Sequence, residues 1–142
     1  MLITNHVLSG ALVGWAAPGP VSAFGLGLAS HFTLDTVPHW GDERIFLQVA
    51  VPDGLVGLAA MAQVARRTPK DRRLRVVAGM LGACLPDADK PSTLFFGRSP
   101  FPLVVDDWHR SIQHESVRRL PQEFLVAAVG ALALRTLLRR LG

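Results

Sequence analysis

A chain of 142 residues with 49% hydrophobic and 18% charged side chains has the length of one domain and too much apolar content for a disordered segment. Its one cysteine, Cys84, excludes a disulfide framework and a thiolate metal cluster within a single chain. The net charge of +4 is unevenly spread: residues 66–75 carry six Lys/Arg against one acid, and residues 118–142 carry five Arg against one Glu.

Both basic clusters flank apolar stretches, which fits anchoring beside a membrane. Nucleic acid is disfavoured as a partner, because no aromatic or glycine-rich binding pattern accompanies the bases. The first twenty residues lack the positive region that opens a signal peptide, so no cleavage is expected. Arg outnumbers Lys thirteen to two, a bias of GC-rich bacterial coding sequences.

In chain order, Asn5 is placed to cap a helix over 6–17, which Pro18-Gly19-Pro20 stops. A second helix is predicted over 21–36, ending where Pro38 disfavours helix at Val37. Residues 39–43 read as a turn. A third helix covers 44–66 and contains Pro52 and Asp53. A fourth runs 72–84 and stops at Pro86. Residues 86–104, rich in Pro, Gly and Ser, read as a long loop. A fifth helix is expected over 105–119 and a last over 121–140, with Pro121 in its first turn. Strict alternation is absent, so the fold class is all-α, a single domain over 1–142 built as a bundle of five to six helices.

No segment is a clean membrane span. Residues 7–30 are uncharged but split at Pro18-Gly19-Pro20, residues 45–65 carry only Asp53, and the last apolar run ends at Arg135. The apolar excess and the Arg clusters nevertheless favour a membrane-associated or membrane-embedded bundle over a soluble one.

The polar residues that remain are concentrated. Five histidines, His6, His31, His39, His109 and His114, all lie near predicted helix ends or turns. His31 and Asp35 are four apart and share a helix face. Asp87 and Asp89 follow the fourth helix, and Asp106, Asp107, His109, His114 and Glu115 crowd the fifth. Short connections make successive helices antiparallel, so His6, His31, Asp35, His39, Asp87 and Asp89 fall at one end of the bundle and the block 66–75 at the other. Convergent imidazoles and carboxylates suit Zn²⁺, Mn²⁺ or Fe²⁺. Without a metal the same groups would form a hydrogen-bonded polar cap.

Individual residues have plainer readings beside the functional one. His31 with Asp35 is also a local ion pair, and His39 also a surface turn residue. On an unbroken helix His109 and His114 diverge by about 140°, so both serve one site only where the helix breaks. Asp53 is either functional or paired with a polar neighbour. Arg110 is either an anion clamp or a partner of Asp106 or Asp107. Ser9 and Ser30 read as small packing residues, and Cys84 as a buried small hydrophobe.

Three blocks carry a resemblance: Asn5-His6 opening an apolar helix, Leu85-Pro86-Asp87-Ala88-Asp89, and His109-Arg110-Ser111-Ile112-Gln113-His114. They resemble the blocks of the bacterial inner-membrane-associated metal-dependent hydrolases, namely Thr-His, Leu-Pro-Asp-x-Asp and His-Arg-Gly-x-Thr-His. Here Asn5 stands before the first His, Ser111 and Gln113 replace Gly and Thr, and Lys90 follows Asp89 where His is frequent. The stretch from Ser30 to His39 is similar, more loosely, to the His-x-x-x-Asp helices of zinc-dependent phospholipase C, an all-α fold.

The resemblance implies a polar site of His6, Asp87, Asp89, His109 and His114. Its phospholipase-like part adds His31, Asp35 and His39. The expectation is a metal-dependent hydrolase of the phosphoesterase type at the bacterial inner membrane. It would hold a divalent metal, zinc first, act on a lipid or other phosphoester, and use Asp89 or Glu115 as general base. The rival expectations are a non-catalytic membrane or partner-binding protein with a structural polar cap, and a transport-related protein in which Asp53 faces a polar path.

Overall fold

The computed structural model describes residues 1–140. The last two positions of the domain read as 1–142, and the Arg140 side chain of the second basic cluster, lie outside the described residues. The architecture is an all-α bundle, with no strand among the described residues. In chain order the helices are α1 (Ile3–Ala16), α2 (Pro20–Thr36), α3 (Phe46–Arg67), α4 (Lys70–Cys84), α5 (Asp89–Phe96), α6 (Leu103–Ile112) and α7 (Leu120–Arg140). Single 3₁₀ turns, Leu85–Ala88 and Val117–Arg119, precede α5 and α7.

The apolar helix α1 is central and packs on α2, α3, α4 and α7. Val7, Leu8, Ala11 and Trp15 of α1 meet Val64, Val76, Met80 and Leu134 in the core. Its seat against α4 is close because both helices present glycine: a Cβ at Gly79 would run into the Gly10 carbonyl oxygen and, at 2.9 Å, Gly14 Cα. Backbone approach of this kind leaves room for no side chain.

Asn5 does not cap α1. The helix begins two residues before it, and its first N–H groups are satisfied by carboxylates from distant helices. Asp53 Oδ2 accepts from Ile3 N at 2.6 Å, and Glu123 Oε2 accepts from Leu2 N at 3.1 Å. These acids meet the orphan donors and positive dipole end of α1. Asp53 is thus paired, and Asn5, one turn in, donates to Glu123 Oε2 at 2.8 Å.

The expected loop over 86–104 is a correction. Pro86 sits in the 3₁₀ turn and Pro91 in the first turn of α5, where a missing N–H costs nothing. Gly97, with φ +72°, stops that helix. The expected helix over 105–119 is also shorter, ending at Ile112. Beyond it the backbone extends and pairs with His39, which donates to His114 O at 3.1 Å and accepts from Ser116 N at 2.9 Å.

Phe46–Arg67 and Val117–Arg139 are long and apolar enough to cross a membrane, by length and composition. In each apolar window 11% of the residues are buried, so most of both helices faces outward. Leu55 and Leu58 of α3 and Phe124, Leu125 and Leu132 of α7 are exposed. Arg67, Arg135 and Arg139 line one groove, which places members of both basic clusters at the same end of the bundle.

Candidate metal centre

At the other end, the hairpin parity of α1, α2 and α4 gathers polar groups from four stretches of chain. His6 comes from the first turns of α1, His31 and Asp35 from the last turns of α2, and Asp87 from the 3₁₀ turn after α4. His109 arrives on α6, a helix whose other faces are exposed. All five side chains are buried.

Four of them, His31, Asp35, Asp87 and His109, form a group able to hold a metal ion, each offering a ligand atom within 4.8 Å of the others. The tightest part is a triangle. His31 Nε2 lies 3.0 Å from His109 Nε2 and 3.1 Å from Asp35 Oδ2, and His109 Nε2 lies 3.0 Å from that same oxygen. Two metal–ligand bonds of about 2.1 Å span about 3.0 Å when they meet at a right angle, and about 3.4 Å at the tetrahedral angle. The triangle therefore has the edge lengths of three neighbouring ligands around one ion.

The tautomer of His31 supports that use. Its Nδ1 donates to the Ala83 carbonyl at 2.7 Å, which leaves the Nε2 lone pair aimed into the cluster. A fixed outer hydrogen bond of this type is the usual support of a ligating histidine. Asp35 is held well below the ordinary carboxylate range: burial opposes ionisation, but the imidazoles of His109, His31 and His6 gathered around its two oxygens outweigh it. Its Oδ1 also accepts from the Met1 amino group at 2.8 Å.

Asp87 is lowered to about 2 although burial works against it, chiefly because the Lys90 ammonium lies beside it. Burial lowers His6 to about 4, against the pull of Asp35. His6 stacks on His31 with ring centroids 4.0 Å apart.

The remaining expected site residues stand apart from this group. His39 is buried, and its Nδ1 donates to Val37 O at 2.9 Å. Its Nε2 lies 3.9 Å from Glu115 Oε1, whose carboxylate is half exposed. His114 is exposed and contributes its backbone carbonyl to the bridge with His39; the helix ends at Ile112, so its ring is not carried to the cluster with His109. Asp89 lies at the rim, 3.7 Å from Lys90 Nζ. Arg110 pairs with Asp107 at the surface, 3.1 Å away. Ser9 and Ser30 face each other at 3.3 Å, each donating to a backbone carbonyl of its own helix.

Two participants, Gln113 and Glu123, were not expected from the sequence, whereas Lys90 was expected beside the acids. Gln113 Nε2 donates to Asp35 Oδ2 at 3.0 Å and lies 3.1 Å from His109 Nε2. Its spacing of four from His109 was a usable signal. Lys90 binds Asp87 at the mouth of the site. Glu123, buried in α7, ties Leu2, Asn5 and Trp40 together and so fixes where α1 begins. No local pattern marks Glu123, since all its partners are remote in sequence.

The fold and the cluster together define a class: an all-α bundle with two apolar helices of spanning length and a buried His/Asp group able to hold a metal ion. No protein-family model, no curated protein and no solved structure matches the chain.

Proposed function

We propose that the chain is a membrane-associated, metal-dependent hydrolase of the phosphoesterase type. The observation that carries this reading is the triangle of His31 Nε2, His109 Nε2 and Asp35 Oδ2, with edges of 3.0–3.1 Å and the His31 proton held outside it on Nδ1. A bound divalent ion would acidify a water and polarise a phosphoryl oxygen. Zinc, manganese and iron all suit this donor set, and zinc is the first to try.

The chain's own groups suit an anionic ester. Lys90, over the mouth beside Asp87, supplies positive charge for a phosphate oxygen. Asp89, partly exposed beside Lys90, is the nearer candidate general base, whereas Glu115 lies beside His39. The outward-facing apolar sides of α3 and α7 would bring the site to a bilayer, so a lipid phosphoester is the first substrate class to try.

The test is metal content and phosphodiester hydrolysis by the detergent-purified chain, before and after reconstitution with Zn²⁺ or Mn²⁺. At least one equivalent of metal and chelator-sensitive cleavage, both lost in His31→Ala, is the expected result. Substoichiometric metal after reconstitution overturns the reading. Complete burial of His6, His31 and Asp35 favours a second reading, a structural polar centre held by shared protons. In that case His31→Ala lowers the melting temperature and added metal changes nothing.

A further inference from the structure

Resting on the metal-centre reading, we infer that the site holds two cations, with Asp35 bridging them and His6 belonging to the second position. The four-residue group leaves His6 unexplained. That imidazole is completely buried, and neither of its ring nitrogens has a hydrogen-bond partner. An unsatisfied polar group in such a place is costly, and native interiors rarely keep one without use. Stacking on His31 fixes the ring plane.

Its Nε2 lies 3.2 Å from Asp35 Oδ1 and 3.8 Å from Asp87 Oδ2 without bonding to either. Ligands of one ion show this relation: they approach each other while their lone pairs converge on a third point. Asp35 meanwhile divides its oxygens. Oδ2 faces His31 and His109, and Oδ1 faces His6. A carboxylate used on both sides is the bridge of two-metal sites, whose ions stand about 3.5–4 Å apart. The second position is thus made by His6 Nε2, Asp35 Oδ1 and Asp87 Oδ2, with the Met1 amino group as the competing cation on Oδ1. Two ions would give a phosphoester one site for the attacked oxygen and one for the leaving oxygen.

Titration of the purified full chain with Mn²⁺ tests this by stoichiometry and by electron paramagnetic resonance. Wild type is expected to bind two equivalents and to show the signal of an exchange-coupled pair. His6→Gln is expected to bind one and to show an isolated ion. One equivalent in both proteins overturns the second position and leaves the single-metal reading standing. Two in both overturns the role of His6, and none in either removes the metal centre altogether. Should His6→Gln fail to fold, an uncoupled signal from saturated wild type overturns the proposal by itself.

Discussion

The Nε2 atoms of His31 and His109 face each other across 3.0 Å, although 78 residues separate them in the chain. With the His31 proton committed to Ala83 O, the His31 Nε2 lone pair faces His109 Nε2 and Asp35 Oδ2, and the three atoms need a proton on His109 Nε2 or a metal cation among them. Replacing His109 by Ala removes one corner and is expected to weaken metal binding more than tenfold, on the scale of losing one ligand or its support. Calorimetric titration of the metal-free protein measures it.

Gln113 tests the outer support of the same triangle. Gln113→Ala deletes the donor to Asp35 Oδ2 without touching the helix core. The expected loss in metal affinity is about 10- to 100-fold with the fold retained, read by titration beside circular dichroism. An unchanged affinity would show that Asp35 is oriented by the histidines alone.

Acid sensitivity of the metal-free protein follows from His6. The folded chain keeps it neutral down to about pH 4, whereas an unfolded histidine takes its proton near 6.5. The unfolded state therefore binds more protons between these values, so stability is complete above about 6.5 and falls as the pH drops toward 4. Melting curves across this window should show the decline, and His6→Gln should flatten it.

The contact of α1 with α4 depends on the absence of side chains. Gly79→Ala would push a methyl group into the Gly10 carbonyl and is expected to cost about 1–3 kcal/mol, seen as a lower melting temperature. Gly25→Ala, in α2, meets nothing within 4 Å and should be neutral or slightly stabilising.

Membrane orientation gives a further expectation. Arg67, Arg135 and Arg139 share one end of the bundle, and positive charge is retained on the cytoplasmic side. In a Cys84→Ala background, an impermeant thiol reagent applied outside should label Thr93→Cys, near the His/Asp end, and spare Lys70→Cys. The reverse pattern overturns this orientation.

The sequence by itself determined the helices of the bundle and the end at which its histidines and aspartates meet. Apolar runs punctuated by Pro and Gly define α1 to α4. Once those helices alternate in direction, His6, His31, Asp35 and Asp87 must share a pole. Short turns impose this geometry whatever the side chains do. What only the tertiary structure decided is which of the polar residues touch. His114 was lost from the cluster because residues 113–116 extend to pair with His39, a contact between stretches with no common local pattern. Asp53 and Glu123 became caps of α1 because packing set them against its free N–H groups. Gln113 joined the site because the last turn of α6 lies over Asp35. Helix periodicity is local and survives in the sequence, whereas the angle at which two distant helices cross depends on the whole core, and a difference of one ångström there decides whether an imidazole is a ligand or a bystander.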